Sequence, residues 1–482
     1  MLQRPLAAAG NNSSNNHALL GAQQQQAGRS SVSRPGRRCG TFEIAFFLVV
    51  ISLGFSLIAL QRLVSERDEW KERLVVTLRS TAEFARASES RLVKTLDFIG
   101  QKTTSEDLKQ DSALGVDGGL KRGLTVDKSY SPLMDFEGST TVILFCYARA
   151  HYLQRTLDSL KARLPSATRF RSKGLKVIIS QDGYDGEVAR ISKQFVEQVG
   201  EMGVKAEHVQ HERFDASRHG HLAAYYSLSM HYLKGLIMAF SNGASRVVIL
   251  EDDLELAVDF FPFFEAFAGT LDRDASLLAV SAWNDHGQAD FVVDPERFYR
   301  SDFFPGLGWM LPRRIWEELK PKWPEAYWDD WLRAGPQRKN RHTIHPEVSR
   351  TITFGESGGA SQGLFFKQYL SSMKLNDVMV AYTGEHVKAM EKTVFDDWMM
   401  SRVRKAQLLA SPPSGRQELD QSKDYYIEYS GLSQYEQVAK SLGIMTDIKD
   451  GIPRGAYRGI VPIRFRGAQV YIVPKSIPPL ST

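Results

Sequence analysis

Val247 to Asp253, VVILEDD, runs four apolar residues straight into three consecutive carboxylates, Glu251, Asp252 and Asp253. Carboxylates set side by side repel one another and call for a cationic partner. In an open α/β sheet, the crevice outside the carboxyl ends of the strands is where such a cluster can meet a divalent cation and a phosphorylated ligand. The plainer reading is a strand-to-helix turn in which Asp252 or Asp253 caps a helix beginning near Leu254. EDD alone does not choose, because acidic pairs recur at Asp329-Asp330 and Asp396-Asp397. Arg149 and Asp182 each follow a short apolar run, which adds one cation and one carboxylate at strand ends. His208, His211, His219 and His221 lack the cysteines or paired helical spacing of a zinc site and read as a solvated loop. His231 falls in a helical pattern, where a lone histidine is ordinarily structural.

These residues need a frame. Thr140 to Tyr147, Leu175 to Ser180, Val247 to Leu250 and Leu277 to Ala282 are short apolar runs that predict strands, and the alternation places a further strand near Val204 to Val209. Helical periodicity fills the intervals at His151 to Leu164, about Val188 to Met202 and Leu222 to Phe240, and an aromatic helix bearing Phe260 to Phe267 follows the carboxylates. Strands apolar on both faces, alternating with helices, predict a Rossmann-like α/β domain with a mainly parallel sheet over residues 140–355, with EDD in mid-sheet. A Gly-rich loop, ESGGASQG at 356–363, reads as a hinge or lid and opens a linker to residue 377. From Asp424, YYIEY and RGIVPIRFRGAQVYIVP predict strands of a smaller C-terminal α+β domain spanning 378–474.

With 43% hydrophobic and 24% charged residues in 482, the chain has the composition of a folded protein. Its net charge of +5 is concentrated before residue 44, and no basic stripe interleaved with aromatics follows, which argues against nucleic acid as a partner. Residues 1–43 read as a disordered tail. Ile44 to Leu60 is an apolar run spanning roughly 26 Å as a helix; arginines crowd its N-terminal flank, so it reads as a type II signal anchor in the membrane, with the tail cytosolic and the bulk lumenal. Residues 61–139 form a helical stem and linker whose interrupted heptads leave self-association open. The two cysteines, Cys39 and Cys146, lie on opposite sides of that segment, so no intrachain disulfide is expected.

VVILEDDLELAVDFFPFF, SAWND at Ser281 to Asp285, YRSDFFPGLGW at Tyr299 to Trp309, PKWPEAYWDDW at Pro321 to Trp331, RTITFG at Arg350 to Gly355 and GIPRGAYRGI at Gly451 to Ile460 resemble the N-acetylglucosaminyltransferase I family in order and spacing, over about residues 140 to 474. The resemblance implies a GT-A fold, UDP-GlcNAc as donor, Mn2+ as cofactor, inversion at the sugar carbon, the α-1,3-linked mannose of a high-mannose N-glycan as acceptor, and the Golgi as compartment. It implies Asp253 as metal ligand, Asp252 near the ribose, Glu251 near the donor sugar, Asp182 directed at uracil, Arg149 at the phosphates or sugar, His231 at uridine and Ser361 at phosphate. It also implies Asp329 as the base that a single inverting displacement requires. Tyr327, Trp328 and Trp331 would then provide a partly dry pocket that makes Asp329 more basic; the plainer reading has Asp329 or Asp330 capping the helix that follows.

The sequence departs from the family's pattern in three places. CYAR and the Gly-rich loop each carry one residue more, and the positions matching the family's lumenal disulfide partners are Gly183, Ala279 and Thr343. The nearest rival is the related transferase acting on O-linked mannose, which usually carries a carbohydrate-binding domain where residues 61–139 leave room only for a stem. A silent lumenal lectin, the rival from another class, would have lost the metal ligand or the base.

Overall fold

The computed structural model describes residues 133–356, 364–415 and 417–477. The tail, the candidate anchor at 44–60, nearly all of the stem and Ser361 lie outside them. Among the described residues, no helix is long and apolar enough to cross a membrane.

The β-branched runs form β1 (Thr140–Cys146), β2 (Lys176–Asp182) and β4 (Arg246–Glu251), and the more polar edge strand β3 (Lys205–His211) joins them, all paired parallel in the order β3-β2-β1-β4. All seven residues of β1 are buried. Strand side chains alternate between faces. Val142, Leu144 and Cys146 accordingly join α1 (Ala150–Arg163) and α2 (Gly186–Glu201) in one apolar layer, while Ile143 and Phe145 join α3 (Ala223–Ser241) in the other. Burial on both faces is what an all-apolar parallel strand requires.

After the three carboxylates the chain forms no helix but β5 (Leu254–Leu256); the aromatic helix α4 (Phe260–Arg273) begins only later. The cap reading of Asp252 and Asp253 is thereby overturned. The second half of the sheet adds β6 (Leu277–Ser281), β7 (Phe298–Ser301), β8 (Trp309–Pro312) and β9 (His342–Pro346), giving β3-β2-β1-β4-β8-β6-β9-β7. The sheet is mainly parallel, as expected, but its second half is mixed, since β8 is antiparallel to β4 and β6, and β7 to β9, while β6 and β9 are parallel. No α-helix separates β6 from β7 or β7 from β8 to carry a parallel crossover. The half bearing the carboxylates remains parallel.

β5 pairs antiparallel with β10 (Thr351–Thr353), Leu254 opposite Thr353. Arg350 anchors this ladder: fully buried, it donates from Nε and Nη2 to Asp259 Oδ2 at 3.1 and 3.0 Å, and Asn376 and Tyr382 add hydrogen bonds to the same carboxylate. A buried ion pair without such compensation would be destabilising. The short helix α5 (Trp328–Arg333) packs beside the sheet through Trp328 and Leu332.

Toward the C-terminus β11 (Gln407–Leu408), β12 (Asp424–Tyr429), β15 (Val461–Phe465) and β16 (Ala468–Pro474) form a second sheet, ordered β11-β12-β16-β15, with the hairpin β13 (Ile448–Lys449) and β14 (Ile452–Pro453) between. Tyr425, Ile427 and Tyr429 face α6 (Leu432–Leu442), whereas Tyr426 and Tyr471 join the main core. In the parallel register of β6 and β9, Ala279 stands opposite Thr343, both buried. Cys146 is a buried free thiol, 3.5 Å from the Ser180 carbonyl.

Candidate active site

β1, β2 and β4 end on one edge, with Cys146 opposite Gln181 and Phe145 opposite Glu251. Parallel pairing therefore makes Arg149, Asp182 and the three carboxylates leave the sheet together. Arg149, Asp182, His231, Glu251 and Asp252 line a cleft of about 170 Å³. Arg149 stands at the start of α1, and its Nη2 pairs with Asp252 and lies 3.0 Å from Asp253 Oδ2.

One guanidinium faces three acids. Burial pushes the Asp252 carboxyl up to about 6 against the pull of Arg149. Burial, then the charge of Asp253, raises Glu251, whose Oε1 accepts from the Tyr232 hydroxyl at 2.6 Å. Burial and mutual repulsion thus make ionisation of these acids costly, a cost that a bound cation would relieve.

A divalent cation suits this donor set. A Cβ on Gly355 would come within 2.2 Å of Asp253 Oδ2, so the bare glycine leaves room for that carboxylate oxygen, while Arg149 Nη2 meets it at 3.0 Å. The backbone fixes the approach, because Phe354 N–H donates to the Asp253 carbonyl at 3.0 Å as an extension of the β5–β10 ladder. Carboxylate oxygens are hard donors fitting Mg2+ or Mn2+. Among the described residues no three His, Cys, Asp or Glu side chains are grouped to hold a metal by themselves, so phosphate oxygens of a ligand would complete the shell.

Asp182, buried at the end of β2, has its carboxyl pushed up to about 6 by burial, with Arg213 Nε 3.8 Å away. His231 is buried on α3 beside Ser180 Oγ at 2.9 Å; burial drives its pKa to about 3, so the ring is neutral at physiological pH. Its fixed, uncharged edge forms part of the cleft wall.

Asp329 lies on α5, which starts after Tyr327 in a left-handed turn (φ 52°). Trp328 stacks on Tyr232 at 4.4 Å, and the charges of Glu251, Asp329 and Asp253 all act on the Tyr232 hydroxyl, which places Asp329 and the carboxylate cluster around one phenol. Two expectations are corrected here. The Asp329 side chain is 42% exposed and bound to Arg333 Nη1 at 2.7 Å, so the dry pocket is occupied by Trp328 instead. Nor does Asp329 or Asp330 cap the helix: Tyr327 is the N-cap residue and no side chain closes that end.

Residues 44–479 match the model of the GNT-I family. The chain belongs to that family. The α-1,3-mannosyl-glycoprotein 2-β-N-acetylglucosaminyltransferase of Arabidopsis thaliana is 42% identical to it over 327 residues, 67% of this chain and 71% of the relative. Among solved structures, a mannosyltransferase from Pyrobaculum calidifontis in complex with GDP-Man and Mn2+ is similar at 17% identity and a TM-score of 0.31, over 45% of this chain and 57% of that one.

Three contributors to this GNT-I family site are missing from the sequence reading. Tyr232 sits in a helical stretch whose apolar residues look like ordinary core. Gly355 directly precedes the Gly-rich loop, a placement that could have suggested it. Arg333, four positions after Asp329, had the helical spacing of an ion pair as its signal.

Proposed function

We propose that this enzyme transfers N-acetylglucosamine from UDP-GlcNAc to the 2-hydroxyl of the α-1,3-linked mannose of a high-mannose N-glycan, with inversion, on a GT-A fold with a smaller C-terminal domain. The observation that carries the reading is the convergence of Arg149, Asp182 and the Glu251-Asp252-Asp253 turn on one cleft in a chain of this family.

In this reading Asp182 accepts from the uracil, His231 walls the uridine pocket and Asp252 accepts from the ribose. Glu251, held by Tyr232, orients the donor sugar. Arg149 and Ser361 meet the diphosphate. Asp253 would hold Mn2+ together with diphosphate oxygens; when bound, the ion offsets the charge developing on the departing UDP. Asp329 takes the proton of the attacking mannose hydroxyl as the new C–O bond forms and the bond to UDP breaks. Its exposure lets an acceptor arrive from solvent, and Arg333 fixes its direction.

In this reading the apolar run at 44–60, with arginines crowding its N-terminal flank, anchors the enzyme as a type II protein of the Golgi membrane, its catalytic region lumenal.

The test is transfer by the full chain, given UDP-GlcNAc, Mn2+ and either a five-mannose N-glycan or an O-mannosyl peptide. Transfer to the N-glycan is expected. Transfer to the peptide alone would select the O-mannose reaction, and transfer to neither would overturn the reading. Asp329→Asn should keep UDP binding and lose transfer.

A further inference from the structure

The hairpin of β13 and β14 reaches the helix bearing Asp329 from 119 positions away in the chain. Asp450 and Gly451 at its tip are both left-handed (φ 50° and 74°), the conformation that lets Asp-Gly close a two-residue hairpin. Lys449 Nζ donates to Asp330 Oδ2 at 2.8 Å, and Asp450 Oδ2 accepts from Gly335 N–H at 2.8 Å just beyond α5. The root of the hairpin is fixed as well. Arg454 pairs with Asp447 at 3.1 Å and with Asp285 at 2.9 Å, and Trp283 Nε1 donates to that same Asp285 oxygen. Arg454 and Arg333 each lie 4.9 Å from the centre of the Phe303 ring, which joins the hairpin root to the base helix.

We infer that this hairpin positions the catalytic base, with Lys449 as the positioning residue; the inference rests on Asp329 being that base. Arg333 Nη1 is shared between Asp329 Oδ2 at 2.7 Å and Asp330 Oδ1 at 2.8 Å. Two carboxylates compete for one guanidinium. Lys449 supplies the second cation, so Asp330 is satisfied without drawing Arg333 away from Asp329. Burial pushes the Asp330 carboxyl up, but Lys449 and Arg333 together hold it below its ordinary value.

Asp329 is bound by Arg333 and neighbours Asp330 on its own helix; Lys449 reaches Asp330 from the hairpin, Tyr327, stacked on Tyr225, precedes the helix, and the Asp329 charge acts on Tyr232 of α3, which in turn meets Glu251. Of these, Lys449 is the cation that a single substitution removes while leaving Arg333 in place. Without it the carboxylate pair gains net negative charge and Arg333 is drawn toward Asp330, which favours the protonated form of the pair.

Transfer to a five-mannose N-glycan by the full chain, with UDP-GlcNAc and Mn2+, is measured across pH for Lys449→Met, Lys449→Arg, Asp330→Asn and Asp329→Asn, with UDP affinity and thermal midpoint alongside. Lys449→Met should lower kcat roughly tenfold, leave UDP affinity unchanged and move the acid limb of the kcat profile up by about 0.5 pH unit. Lys449→Arg should restore both, and Asp330→Asn, which removes an anion, should move the limb down. A normal kcat and acid limb in Lys449→Met, or a lowered thermal midpoint with the limb unmoved, overturns the role of the hairpin. Should Lys449→Met not fold, the shift in Asp330→Asn decides. Transfer retained by Asp329→Asn overturns the base reading instead, and so separates the two failures.

Discussion

The Tyr232 hydroxyl donates to Glu251 Oε1 at 2.6 Å while its ring stacks on Phe145 at 4.2 Å and on Trp328 at 4.4 Å. One buried phenol therefore ties the carboxylate assigned to the donor sugar to the residue next to the assigned base. Tyr232→Phe keeps the rings and deletes only the hydrogen bond. A hydrogen bond to a charged group contributes on the order of 1.5–3 kcal/mol, and the variant leaves a buried carboxyl without its donor, so transfer should fall about tenfold or more and the thermal midpoint should fall with it. Steady-state kinetics beside a melting curve checks this; unchanged kcat would mean that Glu251 needs no fixed orientation.

Gly355→Ala places a methyl where Asp253 Oδ2 lies 2.2 Å from the ideal Cβ position. Its backbone is not left-handed, so the effect is one of space. The Mn2+ concentration needed for half-maximal transfer should rise several-fold, roughly what loss of about 1 kcal/mol of binding gives. A metal titration indistinguishable from wild type would argue against Asp253 as the ligand.

Asp182 has its folded pKa raised to about 6 by burial, against about 3.9 in an unfolded chain. A raised carboxyl favours the fold below the unfolded value, and that advantage is lost as pH rises through about 6. Asp182→Asn should therefore raise the thermal midpoint at pH 7.5 while weakening UDP binding. In the wild type, UDP affinity should fall as pH drops through about 6, because only the ionised carboxylate gives a charge-assisted hydrogen bond. Calorimetric UDP affinity that is flat across this range and intact in the variant would remove Asp182 from the uracil pocket.

Glu318 provides a contrast far from chemistry. It accepts from Arg341 at 2.9 and 3.0 Å and lies 3.1 Å from Lys339. Burial pushes its carboxyl up, but these cations prevail and bring it down to about 2. Its contribution to stability is whole above the unfolded value of about 4.3 and is lost as pH falls through about 2. Glu318→Gln should lower the urea midpoint clearly at about pH 6 and much less at about pH 3; an equal loss at both would sink the ion-pair account.

The parallel half of the sheet was legible because β1, β2 and β4 advertise burial on both faces, and that half presents the cleft. β8 was not, since the direction of Trp309–Pro312 is decided by pairing with β4 and β6 rather than by its own residues. Leu254–Leu256 misled for a related reason. Three residues carry too little periodicity to reveal a strand, and β5 exists only because Thr351–Thr353 arrives from about a hundred positions downstream. Site residues followed the same rule. Asp182, Arg149 and the EDD turn could be found from strand ends, whereas Tyr232 and Lys449 matter only through partners that folding brings to them. Among the aromatic neighbours of Asp329, Trp328 is buried and spends that burial on α5 packing, Tyr327 is exposed, and the carboxylate is left open.

Ala279 and Thr343 meet side by side in the β6–β9 register, at positions where the family's resemblance points to half-cystines. The described fold closes without a covalent brace, and Cys146 keeps its thiol. Production of the catalytic region should thus be indifferent to the redox poise of the host: neither an oxidising compartment nor a disulfide isomerase has a bond there to make or proofread.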